Sequence, residues 1–150
     1  MNYRKPTFDD VEAIYRMVYD YAAEGAMLAR SRNALYETLR SMIVAEDSGV
    51  VVGVGGLHFI WEKLAEIRTM AVAREYLHRG IGREIVRRLL EEGREYGVTR
   101  AFTLTYRVDF FSSLGFHTVE KEKLPPKVWK DCIDCPKFPT CDEVAMVLDL

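Results

Sequence analysis

Thiols are scarce in this chain and poorly placed for a disulfide framework. The three cysteines, Cys132, Cys135 and Cys141, fall within ten residues of one another, whereas a small secreted fold spreads an even number along its length. A dominant charge sign is lacking too. Lys and Arg number 21 against 23 Asp and Glu, a formal net charge of -2, so no global positive field exists to gather nucleic acid. No apolar run approaches the ~20 residues that span a bilayer. The start Met1-Asn2-Tyr3-Arg4-Lys5-Pro6 runs straight into charged sequence with no signal-peptide core. These absences argue against a nucleic-acid or membrane partner, and a cytoplasmic protein is expected. Repeats, low-complexity tracts and flexible linkers are also missing. With 49% hydrophobic and 29% charged residues, the chain has enough for one substantial core and too little for two ordinary domains, so residues 1–150 are read as a single domain.

What is present is an alternation of helix and strand signals. Thr7 is placed to cap a helix whose first turn carries Asp9 and Asp10, with Val11, Ile14, Tyr15, Val18 and Tyr21 at helical spacing behind. Leu35, Leu39 and Met42 predict a short second helix leading into a strand over 42–46. Asp47-Ser48-Gly49 marks a hairpin turn into a long strand over 50–61, and a third strand covers 65–72. Residues 80–96 carry Ile81, Ile85, Leu89 and Leu90 in helical register, with arginines opposite and Gly97 as a stop. A strand over 101–105, a short helix over 108–114, and strands over 116–119 and 143–150 complete the pattern. Mixed antiparallel and strand–helix–strand connections predict an α/β (α+β) fold around one mixed β-sheet.

The most informative stretch is Val72-Ala73-Arg74-Glu75-Tyr76-Leu77-His78-Arg79-Gly80-Ile81-Gly82-Arg83, where a strand ends, a loop turns and two glycines open a helix. The first amides of a helix have no intrahelical partner, the helix dipole adds positive charge there, and glycine lets a phosphate approach the backbone closely. Arg79, Arg83, Arg87 and Arg88 add mobile positive charge around that end. A tight turn packed beneath a helix would carry the same two glycines. A dinucleotide-binding loop does not fit, since the third glycine and the following ribose-binding acid are both missing.

The run Glu66-Ile67-Arg68-Thr69-Met70-Ala71-Val72, the loop from Tyr76 to Gly82, Thr103-Leu104-Thr105 and Phe110-Phe111-Ser112-Ser113-Leu114-Gly115-Phe116 together resemble the GNAT acetyltransferase superfamily over almost the whole chain. The resemblance implies a mixed sheet flanked by helices on both faces and acetyl-CoA as acetyl donor. It implies that Leu77, His78, Arg79, Gly80, Ile81, Gly82 and Arg83 contact the CoA pyrophosphate, and that the pantetheine arm lies along Met70, Ala71 and Val72 like an added strand. Leu77 stands where the family carries Gln or Arg. Leu28-Ala29-Arg30-Ser31-Arg32 and the same strand are similar to the stand-alone N-acetylglutamate synthases. That likeness implies a small amino-acid acceptor, glutamate or glutamine, and the first step of arginine biosynthesis.

The residues suit such an acceptor. Side chains two apart on a strand share a face, so Glu66 and Arg68 project together about 7 Å apart on an otherwise apolar segment. A structural ion pair or a solvated edge accounts for them equally well. A functional reading gives Glu66 the removal of the ammonium proton and gives Arg68 and Arg30, with Lys127 as a third, the substrate carboxylates. A backbone N–H near Met70 or Ala71 would meet the developing oxyanion. Many GNAT enzymes place a tyrosine acid where this chain has Phe111. Related synthases imply Thr105 in its place, with Tyr106 the next choice. Cys132, Cys135 and Cys141 make three of the four ligands a closed zinc site needs, so the chemistry is expected to need no metal and the cysteine loop is read as structural first. Rival readings are a GNAT enzyme for another amine, a non-catalytic CoA-binding module and a metal-binding interaction module. Oligomeric state stays open, a homodimer included.

Overall fold

A computed structural model of the chain describes residues 1–125 and 142–150. Its strands are β1 (Asn2–Arg4), β2 (Met42–Asp47), β3 (Val50–Trp61), β4 (Leu64–Val72), β5 (Arg100–Thr105), β6 (His117–Val119) and β7 (Val144–Asp149). The helices are α1 (Val11–Ala23), α2 (Arg32–Glu37), α3 (Ile81–Glu95) and α4 (Val108–Ser113). Among the described residues the strands form one sheet in the order β1-β2-β3-β4-β5-β7-β6. Neighbours are antiparallel throughout except for β4 and β5, which run parallel. The predicted mixed sheet is therefore present, and its single parallel pair lies in the middle.

Helices cover both faces, each over its own apolar cluster. On one side Ile81, Ile85, Val86, Leu89 and Leu90 of α3 pack with Ile43, Leu57, Ile67 and Met146 of the sheet, and Phe111 and Phe116 extend the cluster. On the other, Val11, Ile14, Met17 and Val18 of α1 and Leu35 of α2 meet Met42, Val44, Val54 and Ala71. A smaller cluster of Leu64, Phe102, Leu124, Ala145 and Val147 lies farther along the sheet. The i, i+4 spacing of the buried residues in α3 puts its apolar stripe on the sheet and leaves its arginines outside.

Three local features depart from the sequence pattern. β1 spans three residues, too few for alternation to show, and is held by pairing with β2 and by Arg4. The Arg4 guanidinium donates to Asp10 at 2.8 and 2.9 Å and to Glu46 at 2.6 Å. Thr7 heads a short 3-10 turn over Phe8–Asp10 before α1, and Asp10 takes the Thr7 amide at 2.7 Å. The second helix stops at Glu37 and does not reach Met42. There the Thr38 hydroxyl donates back to the Ala34 carbonyl at 2.7 Å. The chain then tightens into a 3-10 turn over Leu39–Ser41 that sets Leu39 against the α1 cluster. Among the described residues no helix is long and apolar enough to cross a membrane.

Candidate functional site

β4 and β5 stay in register only from the Leu64–Arg100 pair to the Glu66–Phe102 pair. Beyond it, β4 runs on to Val72 beside β3 alone, while β5 runs to Thr105 beside β7. The sheet therefore splits at the carboxyl ends of its two parallel strands. Thr103, 3% exposed, sits at the fork, where its hydroxyl donates to the Ile67 carbonyl at 3.1 Å and satisfies an acceptor the parting strand has left open. A cavity of about 690 Å³ fills the gap.

A bulge in β4 shapes the cleft wall. Val54 faces Ala71 and Gly56 faces Arg68, so Thr69 and Met70 together oppose Gly55. Thr69 takes φ +60°, a region β-branched residues rarely enter. Gly55 makes the bulge feasible, because a Cβ there would lie 2.3 Å from Met70 Sδ and 2.7 Å from Ile85 Cγ2. Past the bulge, the Ala73 N–H donates to the Val52 carbonyl at 2.8 Å. By strand alternation Val72 turns its own N–H and C=O toward the cleft.

At the far end, α3 begins with an open set of amides. Gly80 precedes it with φ +80°, a conformation that favours glycine. The first helical hydrogen bond runs from Glu84 N to Gly80 O at 3.1 Å, so the amides of Ile81, Gly82 and Arg83 have no helical acceptor. Gly82 also has a packing reason to be glycine, since a Cβ would meet the Phe110 ring at 3.2 Å. Met70, Ala71, Val72, Leu77, His78, Gly80, Ile81, Gly82 and Arg83 all line the cavity. Arg79 is not in that lining, and its guanidinium lies over the Tyr76 ring at 4.8 Å. Arg83 reaches Ser113 Oγ at 3.3 Å. Arg87 and Arg88, read as further charge for the anion end, are not in the cavity lining either. They bind Glu84 at 2.6 and 2.9 Å, and these bonds, Arg87 first, hold its carboxyl down to about 2.

The acceptor candidates gather at the fork. Glu66, 7% exposed, accepts from Arg68 Nε at 2.6 Å, and both line the cavity together with Arg30 from the segment between α1 and α2. His58 of β3 is the cross-strand partner of Glu66. Thr105 and Tyr106 line the opposite wall. The Thr105 hydroxyl oxygen accepts the Arg107 amide at 2.7 Å, and the Tyr106 hydroxyl donates to Asp142 at 2.6 Å. Phe111 is buried between Phe110 and Phe116, with ring centroids 5.0 and 5.2 Å away. Lys127, Cys132, Cys135 and Cys141 lie outside the described residues, among which no cluster of three metal-ligating side chains occurs. Sequence reasoning missed Tyr21, Arg107 and Glu143, which also line the cavity. A tyrosine closing an amphipathic helix just before an irregular stretch was the only signal available for the first of them.

The family model of the acetyltransferase (GNAT) family matches residues 8–118. An uncharacterized N-acetyltransferase of Chlorobaculum tepidum is 42% identical over 147 residues, 98% of this chain and 95% of the relative. An amino-acid acetyltransferase of Mycobacterium tuberculosis is 37% identical over 131 residues, 85% of this chain and 75% of its own. Among solved structures, one from Mycobacterium tuberculosis in complex with CoA and NLQ has a TM-score of 0.86 at 32% identity, covering 100% of this chain and 99% of that one. N-acetylglutamate synthase from Neisseria gonorrhoeae, complexed with coenzyme A and N-acetyl-glutamate, has a TM-score of 0.90 at 23% identity over 99% of this chain and 35% of that one, a likeness of fold.

Proposed function

The chain belongs to the GNAT acetyltransferase family, and we propose that it carries the acetyl group of acetyl-CoA to the α-amino group of glutamate or glutamine, the opening reaction of arginine biosynthesis. One observation carries the choice of acceptor. A buried carboxylate and a guanidinium, Glu66 and Arg68, meet at 2.6 Å in the cavity wall, and Arg30 lines the same cavity. The amino-acid acetyltransferase name of the relative at 37% identity supports the same class of substrate.

Acetyl-CoA is the donor and supplies an acyl group already activated as a thioester. The chain's fit to it rests on the unbonded amides of Ile81, Gly82 and Arg83, the positive end of α3 and the cleft-facing edge of Val72. Arg68 and Arg30, with Lys127, suit the acceptor's carboxylates, for which a guanidinium offers a planar fork. A carboxylate that takes up Arg68 relieves Glu66 Oε1 of a hydrogen bond and frees it to accept the ammonium proton, directly or through a water. The neutral nitrogen then bonds to the acyl carbon as the carbon–sulfur bond breaks. Negative charge on the acyl oxygen is met by a backbone N–H near Met70 or Ala71, where the bulge re-aims the strand. A thiolate of pKa ~8.5 leaves readily, and the hydroxyl of Thr105 or Tyr106 hands it a proton while taking the second proton of the acceptor nitrogen, so that a neutral amide and the CoA thiol result. Since Phe111 has no proton to give, the acid is drawn from Thr105 at the end of β5 or Tyr106 just beyond it, and not from that position of α4.

Thiol release measured across the twenty amino acids tests the acceptor. Glutamate or glutamine is expected to show a kcat/KM at least about tenfold above alanine and lysine, the discrimination that one buried charge pair provides. A preference for lysine, or for a free peptide N-terminus, would remove the acceptor assignment and leave the family intact.

A further inference from the structure

Tyr21 stands where α1 gives way to the segment that carries Arg30. Its hydroxyl donates to the Val72 carbonyl at 2.6 Å, so a residue of the acceptor side holds the cleft-facing edge of β4. The same tyrosine's main-chain carbonyl accepts the amides of Glu24 at 3.2 Å and Ala26 at 3.0 Å, which closes the first turn of that segment. Arg74, just past β4, places its guanidinium 4.5 Å from the centre of the Tyr21 ring and pairs with Glu24 at 2.7 Å. That ion pair is half exposed on both sides and holds weakly in water. The hydroxyl bond is part-buried, and it dominates the tether.

We infer that Tyr21 is a positioning residue that couples the two halves of the cleft: filling the Val72 edge with the donor steadies residues 24–31, and so holds Arg30 ready for the amino acid. The inference rests on acetyl-CoA running along that edge, as proposed above. A carbonyl has two lone pairs, so the tyrosine and a ligand amide bind Val72 together, and a restrained peptide plane favours both partners. Coupling of this kind is reciprocal, so the amino acid tightens the donor by the same factor.

Hydrogen exchange of residues 24–31, with and without saturating coenzyme A, reads the coupling without catalysis. Tyr21→Phe keeps the ring beneath Arg74 and removes only the hydroxyl. In the wild type, coenzyme A is expected to slow exchange in this segment by about five- to tenfold, and in the variant by less than about twofold. Calorimetry should find coenzyme A bound more weakly to the variant by no more than that five- to tenfold factor, and the remaining loss should appear in KM for the amino acid and not in kcat. Equal slowing in both proteins, or coenzyme A bound to the wild type with no slowing, would overturn the inference alone. A wild type that does not bind coenzyme A would overturn the donor reading and this inference with it.

Discussion

Arg4 shows how much one side chain can anchor. It bridges two carboxylates from separate elements, Asp10 before α1 and Glu46 on β2, and so fastens a strand of three residues to the sheet. The hydrogen bond from Arg4 is the main cause that holds the Asp10 carboxyl below its ordinary 3.8, against the opposing effect of burial. A carboxyl depressed in the folded state contributes stability that is present above its unfolded value and disappears as the pH falls through the folded one. Arg4→Met is therefore expected to cost about 1–3 kcal/mol at neutral pH. The gap to wild type should begin to narrow as the pH falls below 3.8 and go on narrowing as it falls through the lowered folded value, which urea unfolding at a series of pH values from ~7 downward would measure. At this scale the sequence was readable where two residues share one strand. The period of two put Glu66 and Arg68 on one face, and their bond at 2.6 Å bears that out. It was opaque where partners are far apart in the chain, as with Thr103 to Ile67 and Tyr21 to Val72, separated by 36 and 51 residues.

Among the elements, β4 matters most, because its bulge turns a sheet strand into one wall of a cleft. Gly55 permits the bulge by admitting Met70 Sδ beneath α3. Gly55→Ala is accordingly expected to destabilise the fold by about 1–3 kcal/mol through overpacking and to weaken coenzyme A binding, since Met70 must withdraw and take the strand edge with it. Denaturant titration alongside calorimetry checks both, and wild-type values in each would show that the bulge does not depend on this glycine. The strand-and-helix succession was legible because α3 has a clean stripe of buried residues and the Asp47-Ser48-Gly49 turn punctuates β2 and β3. The bulge was not, because no residue between 66 and 72 is a glycine and the signal sits on the partner strand. Arg87 and Arg88 of α3 were read as charge for the anion end, yet helical spacing brings them to Glu84 before any ligand is considered.

At the level of the whole molecule, the catalytic proposal depends on where one sheet comes apart. Antiparallel strands lie on either side of a single parallel pair, and that pair diverges at its carboxyl ends, where ligands of open α/β sheets bind. Separate apolar clusters pack helices on the two faces of the sheet, and the first of them spans strands on both sides of the split. Element order carried most of this architecture in the sequence. The length over which β4 and β5 remain paired did not show, since it is set by Thr103 and the β4 bulge and not by periodicity. Whether Glu66 is the base on which the cleft acts is decided by Glu66→Gln, assayed with the amino acid that gives the fastest thiol release and titrated with coenzyme A on the same preparation. Coenzyme A affinity should stay within about threefold of wild type while kcat falls by about 100-fold or more. A glutamine variant that turns over at the wild-type rate would contradict the account.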